Sequence, residues 1–222
     1  SNNGWIVGQT GRILKTTDGG TATGGVSSWS SQTSGITTSL EDVYFVNSNT
    51  GWAVGNSGTI LKTTNGGSSW SSQTSGTNVG LRSVFFIDSN TGWAVGMNTY
   101  GTDNKILKTT DGGSNWTDLT SIVTTAMYTT VDLNAVHFYD SNTGWAVGMT
   151  RSFMKTTDGG SSWKEYNGQT SYHSYGVQVI NYDNVMTMVA VGSHWDDNTA
   201  GLVDTRTSNS SGQSTQSGTG TL

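Results

Sequence analysis

A five-residue block returns along the chain and limits what it can fold into. Gly-Trp-Ile-Val-Gly at 4–8 recurs as Gly-Trp-Ala-Val-Gly at 51–55, 92–96 and 144–148. A worn copy, Val189-Ala190-Val191-Gly192, follows. The closing glycines stand at 8, 55, 96, 148 and 192, giving spacings of 47, 41, 52 and 44 residues. A second block trails the first: Lys15-Thr16-Thr17-Asp18-Gly19-Gly20 returns at 62–67 (with Asn65), 108–113 and 155–160. Trp29, Trp70, Trp116 and Trp163 close the four copies. A fifth copy, near Leu202-Val203-Asp204-Thr205, has lost both the Asp and the Trp of the pattern. Repetition at this period means one supersecondary unit stacked on its own copies, because a single unit cannot bury its apolar face alone.

Each unit reads as four short strands. Leu-x-x-Val-aromatic-aromatic opens it at 40–46, 81–87 and 133–139. Asn-Ser-Asn-Thr-Gly or Asp-Ser-Asn-Thr-Gly then supplies a turn through its Asx side chain. Trp-Ala-Val-Gly is the second strand, and Ile-Leu-Lys-Thr-Thr, alternating in polarity, is the third. Asp-Gly-Gly turns the chain, and the segment at the Trp is the fourth strand. No segment sustains a helical period, and the many Gly, Ser, Thr and Asn disfavour helix. Four strands per 41–52 residues is the period of a propeller blade, so the expected fold is all-β, a β-propeller of about five four-stranded antiparallel blades. The expected units are about 1–35, 36–77, 78–120, 121–170 and 171–207, followed by a Ser/Gly/Thr-rich tail at 208–222. The first unit begins at its Gly-Trp strand. The expectation is therefore a ring closed by the tail, with a linker, an open arc or closure by a neighbouring chain as alternatives.

The block Thr109-Thr110-Asp111-Gly112-Gly113-Ser114-Asn115-Trp116 fits the Asp-box pattern, Ser/Thr-x-Asp-x-Gly-x-x-Trp. With Asn-Thr-Gly-Trp-Ala-Val-Gly and Gly-Thr-Ile-Leu-Lys-Thr-Thr, it resembles the photosystem II stability/assembly factor family of β-propellers with BNR-type repeats. More distantly it is similar to the Asp-box repeats of sialidases, xyloglucanases and sortilin. The resemblance spans about residues 4–205 and implies a propeller in which the box is structural. It implies an assembly-factor role whose partner face would be Arg-rich, whereas this chain has Arg12, Arg82, Arg151 and Arg206 alone. On chemical grounds, Asp18, Asn65, Asp111 and Asp158 would hold the turn by accepting backbone N–H groups. The box tryptophans would fill the seam between blades. Asn65 in the second copy suits hydrogen bonding better than acid–base work.

Composition excludes several functions. The net charge is −5 and no Lys/Arg run occurs, so nucleic acid is not expected as a partner. Apolar runs are far shorter than the ~18 residues of a membrane span. No basic region precedes an apolar stretch, so no signal peptide is expected in the residues given. There is no Cys, hence no disulfide, thiol chemistry or Cys–metal site. No Gly-x-Ser-x-Gly elbow, P-loop or dinucleotide fingerprint is present, and no cofactor is expected.

Positions shared by all copies serve the fold, so candidate function falls on the divergent loops. These are 97–104 with Tyr100 and Asp103, 121–132 with Tyr128, the short loop with Arg151, 170–175 with Tyr172 and His173, and 193–198 with His194, Trp195, Asp196 and Asp197. Their aromatics could stack on a sugar or a peptide. His173 and His194 with Asp196 and Asp197 lack close ligand spacing, and no metal site is expected. His137 is read as a packing residue in the slot of Tyr44 and Phe86, and Trp5, Trp52, Trp93 and Trp145 as core. A glycosidase needs two placed carboxyl groups. The two glutamates, Glu41 and Glu165, lie in repeated strands, and the Arg-Ile-Pro motif of sialidases cannot exist without Pro. The reading is a non-enzymatic binding or structural module, with a glycan lectin and a photosystem-type assembly factor as alternatives and a sialidase-like glycosidase behind them. Its ligand would be protein or glycan, with self-association, even into filaments, through terminal strands. Ser/Thr/Asn/Gly richness without Cys suits a secreted or cell-surface setting, with periplasm or thylakoid lumen as the alternative.

Overall fold

The computed structural model describes residues 2–21, 28–97, 103–120, 123–124, 132–149, 153–165, 172–182, 185–194, 200–208 and 214–221. Among them lie twenty strands in five sheets and two single-turn 3₁₀ segments. β1 (Gly4–Val7), β2 (Ile13–Thr16) and β3 (Ser30–Gln32) form the first sheet. β4 (Leu40–Phe45), β5 (Gly51–Gly55), β6 (Thr59–Thr63) and β7 (Ser71–Gln73) form the second, in chain order. β8 (Leu81–Phe86), β9 (Gly92–Met97), β10 (Asn104–Thr109) and β11 (Thr117–Asp118) form the third. β12 (Val123–Thr124) joins β13 (Asp132–Phe138), β14 (Gly144–Met149), β15 (Phe153–Thr156) and β16 (Trp163–Glu165) in the fourth. β17 (Tyr172–Tyr182), β18 (Val185–His194), β19 (Ala200–Ser208) and β20 (Ser214–Thr221) form the fifth. The chain is all-β with the blades of a β-propeller. By packing it divides into two compact units, Ser1–Ala94 with Leu107–Asp118, and Val95–Ile106 with Leu119–Leu222.

Two sheets depart from four antiparallel strands. The first has three. The fourth gains β12, which runs parallel to β16 with Val123 opposite Trp163. The loop that was expected to diverge thus lends a β-branched pair to its neighbour's edge. The fifth sheet differs from the expected unit as well. Residues 172–175 and 193–194, expected in loops, are strand, because β17 and β18 run to eleven and ten residues. Tail residues Ser214–Thr221 pair antiparallel with β19, Leu202 opposite Thr221. Thr215, Ser217, Thr219 and Thr221 hold every second position, and the threonines among them favour a strand over a linker. The tail is therefore the fourth strand of the fifth sheet, not the missing strand of the first.

Local chemistry fixes each hairpin. Asn47 Oδ1 accepts the N–H groups of Asn49 and Thr50, both at 2.9 Å. Asp88 does the same for Asn90 and Thr91, and Asp140 for Asn142 and Thr143. These Asx turns join first and second strands. Second and third strands are joined by two left-handed residues, Thr10-Gly11 (φ 58° and 68°) and Ser57-Gly58 (φ 57° and 67°). That is the twist a two-residue hairpin needs. Gly58 has no alternative: a Cβ there would stand 2.0 Å from the Thr77 carbonyl oxygen.

The core is a set of seams between successive blades. In the first unit Trp52, Val54, Ile60, Leu81, Val84, Phe86, Ala94 and Leu107 form one cluster, and Ile13, Leu40, Ala53 and Leu61 another. In the second unit Ala135, Trp145, Val147, Phe153, Val179, Met188 and Ala190 pack together. The second-strand tryptophans are the centre of this. Trp52 and Trp93 are fully buried and Trp145 nearly so, while Trp5 is half-buried. Trp5 stacks on Phe45 of the next blade (3.6 Å between centroids, 11° between planes), and Trp52 on Phe86 (3.5 Å, 6°). Each indole then donates to the next blade's Asp box: Trp5 Nε1 to Gly66 O at 3.2 Å and Trp52 Nε1 to Gly112 O at 3.1 Å. On the other face stands a lysine of the third strand, with Lys15, Lys62, Lys108 and Lys155 at 5.5, 5.5, 5.5 and 5.1 Å from the rings of Trp5, Trp52, Trp93 and Trp145. The stack is cation, indole, phenyl. His137 lies opposite Trp145 as Tyr44 lies opposite Trp52. Its counterpart in the third sheet is Phe85, not Phe86. Phe86 aligns with Phe45 and Phe138, the rings that lie over Gly92, Gly51 and Gly144.

Trp52→Ala removes stack, hydrogen bond and burial together. The expected loss is about 3–5 kcal/mol, as for other buried aromatic truncations. Trp116→Ala, at a half-buried ring, should cost less. Urea midpoints check this; equal losses at the two sites would show that the second-strand tryptophan is not the stronger joint.

Candidate functional site

The repeated polar site is the Asp box. In the third sheet Thr109 Oγ1 donates to Asp111 Oδ1 at 2.9 Å and accepts the Gly113 N–H at 2.9 Å. Asp111 Oδ1 also accepts the Asn115 N–H at 2.9 Å, and Oδ2 accepts from Asn115 Nδ2 at 2.7 Å. Asp158 repeats this with Thr156 and Ser162. Asp18 bonds to Thr16 Oγ1 and Gly20 N–H. Asn65 holds the same place, taking the Thr63 hydroxyl and the Ser69 N–H on Oδ1 and donating from Nδ2 to the Ser69 hydroxyl. The first Gly of the box is tied back to the Asx turn of its own blade, as Gly66 N–H to Asn49 O and Gly112 N–H to Asn90 O, both at 2.7 Å. Hydrogen bonds hold all three acids below the ordinary carboxylate range. The leading partners are Thr16 for Asp18, Asn115 for Asp111 (lowered to about 2) and Ser162 for Asp158.

The box tryptophans sit beside this turn. Trp70, Trp116 and Trp163 meet Phe45, Phe86 and Phe138 of their own blades edge-on at 5.8, 5.9 and 5.8 Å. Trp29 closes the first box, with its indole against Gly20. Their role is shared with the second-strand tryptophans, because the rings of Trp5 and Trp70 both converge on Gly67. The Trp145 indole N–H is buried with no acceptor among the described residues. Trp5 and Trp52 use the next blade's box, and the fifth unit lacks that box.

The divergent candidates are placed unevenly. Tyr100, Tyr128, Arg151, Trp195, Asp196 and Asp197 lie outside the described residues. Asp103 is exposed and pairs with Lys105 at 3.1 Å. Tyr172 and His194 are register partners at one end of the β17–β18 pair, with His173 opposite Ser193. The structure thus brings the strand ends that carry two candidate segments side by side. Among the described residues no group of three His, Cys, Asp or Glu could hold a metal ion. No helix among them is long and apolar enough to cross a membrane.

Two polar residues at the seams were not singled out by the repeat pattern. Asp42, half-buried at a register shift in β4, accepts the Val84 N–H of the next blade at 2.9 Å and the Val43 N–H at 2.8 Å. Burial raises its pKa despite these bonds. Asn134 donates from Nδ2 to Ser174 O at 3.0 Å, fastening β13 to β17. Their one sequence signal was divergence inside a repeated strand: 41–42 reads Glu-Asp, 82–83 Arg-Ser and 134–135 Asn-Ala.

These features define an Asp-box β-propeller. Residues 21–122 match the family model described as photosynthesis system II assembly factor YCF48, and the repeats are similar to that family. No curated protein matches the chain in sequence. Among solved structures, YCF48 from Cyanidioschyzon merolae is similar at a TM-score of 0.64 and 18% identity, covering 97% of this chain and 68% of that one. YCF48 bound to D1 peptide is similar at 0.59 and 20%, covering 96% and 76%. An ancestral GH74 enzyme is similar at 0.71 and 18%, covering 98% of this chain, which spans only 29% of that enzyme. At these identities the likeness is one of fold.

The box acids make stability pH-dependent. Asp111 titrates lower folded than unfolded, so its contribution is full above about pH 4 and lost as pH falls toward 2. Asp111→Asn should lower the thermal midpoint slightly at pH 7 and flatten its fall between pH 5 and 2.5. Adding Asn115→Ser, which rebuilds the second box with its Asn65–Ser69 pair, should recover the pH 7 value. An acid slope equal to wild type in the single variant would show that this carboxylate does not hold the turn.

Proposed function

We propose that the chain is a non-enzymatic binding and assembly module whose partner is a protein segment, met by the divergent loops. One observation carries the reading. Every box acid is committed by hydrogen bonds to its own turn, and Asn65 fills the same place without a charge. The repeated carboxylates, the feature shared with glycoside-cleaving propellers, are thus structural and offer no acid–base pair. The match to an assembly-factor family and the fold shared with YCF48 bound to D1 peptide support a peptide partner over a sugar. The contact residues proposed are Tyr100, Asp103, Tyr128, Arg151, Tyr172, His173, His194, Trp195, Asp196 and Asp197. Rigid sheets would fix the ends of their loops, and aromatic side chains supply contact area at low conformational cost. A setting outside the cytoplasm, secreted or cell-surface, goes with the reading.

Peptide display and a glycan array, run on wild type and on Trp195→Ala, test it, with xyloglucan and sialoside turnover alongside. The expected result is an enriched peptide whose binding falls at least about tenfold in the variant, the loss typical of an aromatic anchor, and no turnover. Sustained turnover of either glycan would end the non-enzymatic reading, and sugar binding without peptide binding would replace the partner class.

A further inference from the structure

Residues 62–70 and 155–163 are one sequence with a single difference: Lys-Thr-Thr-Asn-Gly-Gly-Ser-Ser-Trp against Lys-Thr-Thr-Asp-Gly-Gly-Ser-Ser-Trp. Their turns are built alike. Thr63 Oγ1 donates to Asn65 Oδ1 at 3.0 Å, and Thr156 Oγ1 to Asp158 Oδ1 at 2.8 Å. The Ser69 N–H reaches the same Asn65 oxygen at 2.9 Å, and the Ser162 N–H the same Asp158 oxygen at 2.8 Å. The remaining side-chain atom differs in kind, and a serine hydroxyl answers it. Ser69 Oγ accepts from Asn65 Nδ2 at 2.9 Å, whereas Ser162 Oγ donates to Asp158 Oδ2 at 2.6 Å. A hydroxyl does either by rotating its hydrogen. The second box thus differs from the fourth by one amide in place of one carboxylate.

The residue after Asn65 makes that amide labile. Asn is among the thermolabile residues, because the backbone nitrogen of the next residue can attack its Cγ and expel ammonia. Glycine, with no Cβ to shield its nitrogen, is the neighbour that allows this best. The fold demands glycine here. Gly66 has φ +70°, and a Cβ on it would stand 2.8 Å from Ser48 O and 3.1 Å from Lys15 Nζ. A box with Asn at this place therefore carries Asn-Gly by necessity. Asn65 is also exposed, so water reaches it.

The folded turn restrains the reaction. Both ends of the Asn65 amide are hydrogen-bonded, and the attacking atom, Gly66 N, donates its hydrogen to Asn49 O at 2.7 Å. Attack needs that hydrogen to leave and the side chain to swing toward the nitrogen, so these bonds have to open first.

We propose that Asn65 is a deamidation site, closed by its own turn, whose aspartate product completes the Asp box. In the opened turn Gly66 N bonds to Asn65 Cγ. The bond from Cγ to Nδ2 breaks, and the side-chain nitrogen leaves as ammonia with the proton from Gly66 N. Water then opens the succinimide ring. Hydrolysis at Cγ returns the main chain to its course and gives aspartate; hydrolysis at the Asn65 backbone carbonyl gives isoaspartate, with the main chain routed through Cγ. The aspartate takes up the Asp158 arrangement once Ser69 turns its hydroxyl, and the net charge falls one unit below −5. In the fourth box the Ser162 hydrogen bond leads in holding Asp158 below the ordinary carboxylate range, so the new group is ionised at neutral pH. Isoaspartate puts an extra backbone atom before Gly66 and misplaces its carbonyl, which the Trp5 indole reaches at 3.2 Å. One product keeps the first seam and the other loosens it. The site does not depend on the divergent loops or on their partner.

The test ages the full chain and a synthetic peptide of sequence 62–70 side by side in mildly alkaline buffer. Mass spectrometry follows conversion at position 65, with fragmentation that separates aspartate from isoaspartate. The chain should convert at least about tenfold more slowly than the peptide, because it reacts only from the opened turn. Ser69→Ala, which removes the acceptor of the amide, should speed the chain about threefold or more, the worth of one hydrogen bond, and leave the peptide unchanged. Should that variant not fold, exchange of the Gly66 amide in wild type, which should rise with temperature in step with deamidation, takes its place. Asn65→Asp, the product made directly, should melt at or above the wild-type midpoint, and the isoaspartyl chain, separated by ion exchange, should melt lower. No conversion in the chain once the peptide has reacted fully, or conversion as fast as in the peptide, would overturn the proposal. So would a Ser69→Ala rate equal to wild type, Gly66 exchange that does not follow deamidation, an Asn65→Asp chain that melts lower or does not fold, or an isoaspartyl chain as stable as wild type.

Discussion

The stack of lysine, indole and phenyl across the first two seams is the interaction on which the structure depends. A blade of these dimensions has little charge to organise it and few large aliphatics to bury. What it has is a tryptophan whose three functions are used at once. One face takes the ammonium of Lys62, the other takes Phe86 of the next blade, and the N–H takes a carbonyl of that blade's turn. Cation–π and stacking terms are each of order 1 kcal/mol, more when desolvated. Their value lies in being made by one rigid side chain, which fixes the angle of one sheet to the next as well as holding them.

The Asp box is the other half of that joint. Its carboxylate or amide makes a turn rigid, and the turn then offers the Gly66 or Gly112 carbonyl to the preceding blade's indole. Seen alone, the acid suggests catalysis. Seen with the indole it serves, it is a support, and Asn65 shows that hydrogen-bond geometry outranks charge there. Asp42 is the contrasting case. Half-buried against Val84 and Val43, it bears a desolvation cost that outweighs its hydrogen bonds, whereas in the exposed box acids the hydrogen bonds win. Its folded pKa is raised, so its effect on stability runs opposite to theirs, weakening as pH rises through that value.

Much of the fold was legible in the sequence, for a physical reason. Trp-Ala-Val-Gly and Lys-Thr-Thr-Asp-Gly-Gly carry the seam chemistry themselves, so counting them counts blades. The Asx turns were legible too, since Asn47 and Asp88 act within four residues. What escaped was everything set by a partner distant in sequence. The strand identity of 172–175 and 214–221 depends on pairing with β18 and β19, and their composition suggested loop and linker. The parallel placement of Val123 and Thr124 depends on β16. Asp42 and Asn134 read as drift inside a strand because their acceptors and donors belong to the next blade. Of the candidate site, the sequence could mark divergence but not juxtaposition, and the pairing of Tyr172 with His194 supplies one such juxtaposition.

The seam has a direction. At the first two joints a blade gives its indole N–H and lysine forward, and the next receives them on its phenylalanine and glycine carbonyl, so the two sides of a blade are unlike and both joints share one grammar. A duplicated unit can be spliced between any two others without inventing a new surface, which is how such a chain can lengthen in one genetic step. The same grammar tells where the reading stops. The fifth copy has lost the box that would answer Trp145, whose N–H lies buried without an acceptor among the described residues. That copy is free to drift into long strands and unlike side chains, because nothing in its sequence still has to be spelled the way its neighbours are.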